Sequence, residues 1–428
     1  MAKYEKYAEY KESGVEWLGE IPSHWTVTRL KFLAKIKNGQ DYKHVEAECG
    51  FPVMGSGGQF TFSTQFMFDK PSVLLGRKGT IDKPLYINEP FWTVDTMYYT
   101  DVQKDIDVKY FYYLAKTILF DRYSTNTALP SMTQENLNNF EFAIPSEFEE
   151  RKNIRKFLDH ETAKIDTLIA KQEKLIELLK EKRQAVISHA VTKGLNPDVA
   201  MKDSGVEWLG QVPEHWTVSK LKHFVNVVDC KHITAEFFDE GIPLASIGEV
   251  KGWKVNLSNA KLTNEKYYQE LIDGNRKPQV GDIIYTRNAT VGEASLVHAE
   301  LPKFALGQDV CLIHIIQKLS SEYLLHFLKS EIIKIQLNSA MVGSTFKRIN
   351  VDDIRNYVIV IPPIEEQECI LKELDQKIEK YDSLINFAVK QIQLMQERRT
   401  ALISSAVTGK IDVRNWQHPN EAKTELSL

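Results

Sequence analysis

The chain has 428 residues, 43% of them hydrophobic and 26% charged, with a formal net charge of −4. This is the composition of a globular protein with room for two or three domains, and no apolar run is long enough to predict a membrane span. The balanced charge excludes a basic tail that would hold nucleic acid nonspecifically.

The amino-terminal residues lack the pattern of a signal peptide, so the cytoplasm is the expected location. The cysteines stand far apart in the sequence and form no CxxC pair. That spacing favours reduced cytoplasmic thiols over disulfides or a zinc site. The four cysteines are Cys49, Cys230, Cys311 and Cys369.

The first recognisable segment is an aromatic, turn-rich motif that occurs twice. It reads SGVEWLGEIPSHWTVTRLKFLA from Ser13 and SGVEWLGQVPEHWTVSKLKHFV from Ser204, with 14 of 22 positions identical at an offset of 191. We call residues 13–25 and 204–216 the opening motifs. The repeat predicts that the whole chain is a tandem duplication. His24 and His215 lie between a proline and a tryptophan, and we interpret them as packed or capping residues rather than catalytic ones.

A globular stretch follows each opening motif, roughly residues 35–143 and 226–359. The two stretches share almost no obvious sequence, and both mix short β-like runs with short helical ones. That mixture predicts small α/β domains. Similar frames holding different inserts indicate one scaffold that presents two specificities.

Each stretch leads into a long helix after an Ile-Pro pair, Ile144-Pro145 or Ile361-Pro362. From about Glu149 to Lys193 no proline or glycine interrupts a narrow apolar stripe with alternating steps of three and four. The second copy starts at Glu365, and the two copies align at an offset of 216 (370 − 154). Because neither stripe is stable in water alone, we expect the two helices to pack on each other as an antiparallel coiled coil.

Catalytic motifs are missing from the sequence. Pro362-Pro363 has the wrong neighbours for an adenine methyltransferase motif, and Gly55–Gly58 lacks the lysine of a phosphate-binding loop. No zinc-helix motif or nucleophile elbow stands out. Two other interpretations stay open: a non-catalytic coiled-coil scaffold without a DNA role, and an unrecognised DNA-modifying enzyme.

The opening motifs resemble the start of a target recognition domain in the specificity subunits of type I restriction-modification systems. The helix ends KRQAVISHAVTKG and RRTALISSAVTGK resemble that family's two spacer regions. The resemblance implies an α/β plus coiled-coil fold with an internal pseudo-twofold tandem duplication. The implied boundaries are 1–146 and 196–362 for two target recognition domains, 147–195 and 363–410 for the spacer helices, and 411–428 for the tail.

The resemblance also implies a non-catalytic adaptor that binds double-stranded DNA, two methyltransferase subunits and, in the full complex, restriction subunits. The S-adenosylmethionine, ATP and magnesium of such a complex belong to those partners, so no cofactor and no membrane contact are expected for this chain. Each divergent stretch would then read one half of an interrupted DNA target.

Candidate DNA-reading residues occupy small-residue turns that carry long polar side chains. Arginine and lysine suit guanine, and asparagine or glutamine suits adenine. In the first stretch the candidates are Gln59, Arg77, Lys78, Thr80, Ser131, Thr133 and Gln134. In the second stretch they are Arg287, Asn288, Thr290, Ser344, Thr345, Lys347 and Arg348.

Overall fold

The computed structural model describes residues 4–123, 130–341 and 348–419. The chain divides into two compact units. Unit 1 comprises Met1–Glu173 and Lys390–Leu428, and unit 2 comprises Lys174–Val389. Each unit therefore contains parts of both long helices. In the part of the chain that the structure covers, no helix is long and apolar enough to cross a membrane.

In the first half of the chain, the described residues form twelve strands and five helices. The strands are β1 (Tyr10–Glu12), β2 (Glu20–Pro22), β3 (Trp25–Arg29), β4 (Ala34–Asn38), β5 (Glu46–Ala47), β6 (Phe51–Gly55), β7 (Gly58–Ser63), β8 (Ser72–Gly76), β9 (Leu85–Ile87), β10 (Trp92–Thr93), β11 (Met97–Val102) and β12 (Glu141–Pro145). The helices are α1 (Leu30–Leu33), α2 (Val108–Ala115), α3 (Phe120–Tyr123), α4 (Gln134–Asn139) and α5 (Phe148–Lys193).

The main sheet of unit 1 is antiparallel, with strand order β4-β11-β8-β9. Val73, Leu74 and Leu75 of β8 are all fully buried, as expected for an inner strand covered on both faces. Helix α2 packs against β8 and is capped by the Asp107 side chain, which accepts from two backbone N–H groups. A second sheet, β10-β6-β7-β5, contains the parallel pair β10 and β6. The predicted mixture of strands and helices is present in unit 1, and its main sheet is antiparallel.

The second half of the chain repeats this arrangement. Its strands are β13 (Met201–Asp203), β14 (Gln211–Pro213), β15 (Thr217–Lys220), β16 (Val225–Asp229), β17 (Ile242–Ala245), β18 (Leu262–Thr263), β19 (Ile283–Thr286), β20 (Ala294–Leu296), β21 (Ala305–Leu306), β22 (Val310–Ile315) and β23 (Val358–Ile361). Its helices are α6 (Glu265–Ile272), α7 (Ser321–Leu328), α8 (Glu331–Ala340), α9 (Val351–Arg355) and α10 (Ile364–Val407), with 3₁₀ turns at Leu221–His223 and Ile247–Glu249.

The main sheet of unit 2 has the order β16-β22-β19-β20, which matches β4-β11-β8-β9 strand for strand. The second sheet, β18-β17-β21, again contains a parallel pair, β17 with β21. Two stretches without obvious sequence similarity thus have the same topology. The duplication therefore extends through the divergent stretches.

A buried carboxylate joins each opening motif to the start of a long helix. In unit 1, Glu150 Oε1 accepts from Tyr7 Oη at 2.8 Å and from Trp25 Nε1 at 2.9 Å, and His24 Nε2 lies 2.9 Å from Glu150 Oε2. In unit 2, Glu366 has the same place beside His215 and Trp216. Both histidines therefore lie beside the carboxylate of the first helical turn, as a structural residue would. The opening motif recurs because it holds the first turn of each long helix.

The ends of the long helices contact the opening motifs as well. Lys193, at the end of α5, donates to the carbonyl oxygens of Leu209 and Gln211 in unit 2. Lys410, just after α10, donates to the carbonyl oxygens of Leu18 (3.0 Å) and Glu20 (2.7 Å) in unit 1. Unit 1 is therefore built from both ends of the chain. All four cysteines are free thiols, as predicted.

Candidate nucleic-acid interface

The turn after β8 in unit 1 lies against the segment that begins at Ser131. Lys78 and Ser131 form an antiparallel bridge, and the Met132 N–H donates to the Arg77 carbonyl at 2.9 Å. Gly76 permits this turn because a Cβ there would lie 2.5 Å from the Thr80 carbonyl oxygen. We call residues 77–80 with 131–134 the first turn pair. The structure thus brings together two of the predicted segments, which are more than fifty positions apart.

The side chains of the first turn pair differ in their exposure and in the hydrogen bonds that they form within unit 1. Lys78 and Thr80 are exposed. Arg77 is half-buried, and its Nη1 donates to the Asp95 carbonyl at 3.2 Å. Thr133 caps α4, and Gln134 Nε2 donates to Asn38 Oδ1 at 3.0 Å. Lys78 and Thr80 therefore have the greatest freedom to contact a ligand.

Gln59 is exposed on β7, near the tip of the β6–β7 hairpin, and belongs to the second sheet. The segment 93–96 connects this tip to the turn pair. Thr93 Oγ1 donates to the Met54 carbonyl at 2.9 Å, while the Thr96 carbonyl accepts from the backbone N–H of Arg77 at 2.9 Å. The hairpin also exposes Phe60 and Phe62 (54% and 36% accessible), which the sequence analysis missed. Their spacing of two along a strand is the signal that could have identified them.

Unit 2 has the corresponding turn after β19. Asn288 bridges Arg348, and the Ile349 N–H donates to the Arg287 carbonyl at 3.0 Å. We call residues 287–290 with Arg348 the second turn pair. Thr290 and Arg348 are exposed, and Asn288 Nδ2 donates to Asp309 Oδ1 at 3.2 Å. The remaining candidates of this segment, Ser344, Thr345 and Lys347, lie outside the described residues.

Arg287 differs from its counterpart Arg77 in burial. Only 5% of Arg287 is accessible, its Nη1 pairs with Asp229, and its Nε donates to the Ile349 carbonyl at 3.2 Å. Burial lowers the pKa of the Arg287 guanidinium. These contacts hold the turn to the end of β16 and to the strand-like segment at Ile349. The geometry thus supports a structural task for Arg287 and leaves Asn288, Thr290 and Arg348 as candidates for contacts with bases.

Comparison with known proteins places this geometry in a family. Residues 22–178 and 213–393 each match the family described as the type I restriction modification DNA specificity domain. The chain belongs to this family. Two matches in one chain also confirm the predicted tandem duplication, because each covers one copy of the frame. The family expected from the opening motifs and helix ends is therefore confirmed, and with it a DNA-specificity function in type I restriction-modification.

Full-length relatives agree with this assignment. The chain is 24% identical over 441 residues to the type I restriction enzyme MjaVIII specificity subunit of Methanocaldococcus jannaschii, covering 95% of this chain and 98% of that protein. It is 22% identical over 446 residues to the EcoBI specificity subunit of Escherichia coli, covering 96% and 91%.

One solved structure has the same fold. A chain studied for complex assembly and conformational transition of the type I R-M system aligns with a TM-score of 0.66 at 13% identity, over 90% of this chain and 98% of that one. The duplicated fold of the type I specificity protein is thus shared with a solved member of such a system.

Proposed function

We propose that each unit of this type I specificity protein reads one half of a bipartite double-stranded DNA target through its turn pair. The observation that carries the proposal is the conserved position of the two turn pairs combined with their different side chains. Both follow the same inner strand of the same sheet, and both are bridged to a segment before the final strand of the unit. One pair presents Lys78 and Thr80, and the other presents Asn288, Thr290 and Arg348.

The chemistry of these side chains suits base recognition in the major groove. Lysine or arginine donates to guanine O6 and N7, whereas asparagine pairs with adenine N6 and N7. An overall charge of −4 does not oppose this role, because a few cations placed at base edges specify sequence while phosphate contacts can be supplied by partner subunits. We assign Gln59, Ser131, Thr133 and Gln134 to the border of the first surface, and Ser344, Thr345 and Lys347 stay proposed for the second.

The long helices would act as the frame between the two reading surfaces, packed as an antiparallel coiled coil. Two ion pairs support this packing. Within unit 1, Arg399 Nε donates to Asp166 Oδ1 at 2.8 Å, and within unit 2, Arg183 pairs with Asp382. From the first pair to the second, α5 advances by 17 residues (183 − 166) and α10 goes back by 17 (399 − 382), which is the sense of an antiparallel arrangement.

We also propose that the chain itself is not catalytic and acts in the cytoplasm. It would dock two methyltransferase subunits on its duplicated frame and, in the full complex, restriction subunits. S-adenosylmethionine, ATP and magnesium would be bound by those partners. The domain boundaries proposed from the sequence separate the DNA-reading domains from the helices that join them. The reading domains would be 1–146 and 196–362, the helices 147–195 and 363–410, and the tail 411–428.

The test is a methylation motif map in cells that carry altered chains with the cognate methyltransferase. Lys78→Ala is expected to relax one half-site and Asn288→Ala the other, each by about 1–3 kcal/mol of discrimination. Lys104→Ala removes an exposed lysine elsewhere in unit 1 and serves as the control. A motif unchanged in both turn-pair variants, or altered in both halves by one variant, would overturn the proposed reading surfaces.

A further inference from the structure

A groove of about 730 Å³ lies on unit 2 between α7, the first part of α10 and the segment around Trp253. Its floor is apolar and includes Trp253, Leu325, Leu371 and Ile378. These side chains belong to three different parts of unit 2, and the Trp253 ring contacts the ring of His326 in a tilted arrangement, with the centroids 4.5 Å apart. A floor of this kind suits a large apolar side chain.

The rim of the groove is acidic. Four carboxylates line it, those of Glu322, Asp375, Glu379 and Asp382, against one lysine, Lys254. Asp382 is already paired with Arg183. Asp375 has no hydrogen bond or ion pair among the described residues, and burial together with the Glu322 carboxylate raises its pKa. The groove is therefore apolar below and negatively charged above.

The corresponding place in unit 1 shows what this carboxylate accepts. Helices α2 and α7 align at an offset of 213 (323 − 110), with Tyr110 and Tyr323 both fully buried, and α5 and α10 align at 216, so Asp159 is the counterpart of Asp375. In unit 1, Lys109 Nζ lies 2.9 Å from Asp159 Oδ1, and Arg155 Nη1 lies 2.8 Å from Oδ2.

A third donor completes the set in unit 1, because the Tyr113 hydroxyl donates to Asp159 Oδ1 at 2.8 Å. In unit 2 all three donors are replaced. Glu322 stands at the position of Lys109, Leu371 at that of Arg155, and His326 at that of Tyr113. The same scaffold thus holds a neutralised aspartate in unit 1 and an unneutralised one, beside a second carboxylate, in unit 2.

His326 adds to the lining of the groove a buried nitrogen without a partner among the described residues. Only 6% of this residue is accessible, and its Nδ1 has no hydrogen-bond partner within the part of the chain that the structure describes. Burial, with a contribution from Lys329, lowers the pKa of His326 to about 4, so the ring is neutral near pH 7 and one of its nitrogens can accept a hydrogen bond.

We propose that this groove docks a segment of the methyltransferase subunit that carries a lysine or arginine next to a large apolar side chain. The cation would pair with Asp375 and Glu322, as Lys109 and Arg155 pair with Asp159 in unit 1, and the apolar side chain would lie on Trp253. DNA does not fit the acidic rim, because phosphates would face carboxylates. The inference rests on the proposed function, and it adds an asymmetry: unit 2 offers a contact that unit 1 satisfies internally.

The test uses full-length chains and the methyltransferase subunit of the same system. Glu322→Lys gives unit 2 its own lysine at the position of Lys109, close to Asp375. Leu371→Arg gives unit 2 an arginine at the position of Arg155. Each should keep or raise the thermal midpoint, because Asp375 gains a partner, and each should weaken binding of the methyltransferase by about tenfold or more. Glu373→Lys is the control, because it makes the same charge change as Glu322→Lys and lies on the same helix as Leu371, but outside the groove.

Carbodiimide cross-linking of the unaltered complex should join Asp375 or Glu322 to a lysine when the docked cation is an ammonium group. Unchanged affinity in both groove variants would overturn the inference while leaving the proposed function intact. Self-association of this chain that is lost in Glu322→Lys would overturn the choice of partner in favour of a second copy. Failure of the unaltered chain to bind the methyltransferase would overturn both proposals.

Discussion

Replacing Glu150 with alanine is expected to destabilise unit 1 far more than the equivalent change at Glu366 destabilises unit 2. Glu150 is only 4% accessible and binds three donors from the amino-terminal segment and the opening motif. Its side chain is 3% accessible, whereas that of Glu366 is 31% accessible. Water can therefore replace part of the lost contacts at Glu366 but not at Glu150.

The magnitude follows from the groups left without partners. In Glu150→Ala the indole N–H of Trp25 and the hydroxyl of Tyr7 remain buried, and each unsatisfied buried group costs about 1–3 kcal/mol. We expect a total loss of about 3–5 kcal/mol for this change. For Glu366→Ala, where water can solvate the Trp216 N–H, we expect about 1–2 kcal/mol.

Hydrogen exchange measured by mass spectrometry separates the two units, because a melting curve of the whole chain does not say which unit has lost stability. Peptides of the first opening motif should lose protection in Glu150→Ala, and those of the second should not. Glu149→Ala is the control, because the Glu149 side chain is 67% accessible and pairs with the exposed Lys152. Equal effects of Glu150→Ala and Glu149→Ala would refute the reasoning.

Three further outcomes are expected. The pKa of His326 is about 4 in the folded state, below its unfolded value of about 6.5. The stability gained by keeping this ring neutral is therefore complete above about pH 6.5 and is lost as the pH falls towards about 4. His326→Phe should remove up to about 3 kcal/mol of this acid sensitivity, measured by urea unfolding of unit 2. Arg287→Ala should cost unit 2 about 1–3 kcal/mol by removing a buried guanidinium that pairs with Asp229 and donates to the Ile349 carbonyl, whereas Arg77→Ala should cost unit 1 less than about 1 kcal/mol in the same assay. Gly409→Ala should destabilise unit 1 more than Gly14→Ala by about 1–3 kcal/mol in thermal unfolding, because both have φ +74° but only at Gly409 would a Cβ meet a proline ring, at 2.3 Å.

The internal duplication and the periodicity of the two long helices can be recognised from the sequence alone. The offsets of 191 and 216 identify the duplication, and the uninterrupted stripes predict helices that the structure shows as Phe148–Lys193 and Ile364–Val407. The opening motifs and helix ends also identify the family, because they are local strings. The candidate turn segments are visible in the sequence as strings, and the bridges at Lys78 and Asn288 show which segments lie together.

Burial of polar side chains depended on partners far away in the sequence, and only the tertiary structure decided it. Arg77 and Arg287 occupy equivalent turns, yet Arg287 is buried because Asp229 lies beside it, 58 positions earlier in the chain. The first unit includes the carboxyl-terminal part of the chain, where Lys410 Nζ donates to the Leu18 carbonyl. No local sequence pattern predicts this contact. Asp159 and Asp375 align perfectly as sequence, and their different environments come from residues on other elements. Such long-range contacts determine which side chains are committed to the fold and which remain available to bind.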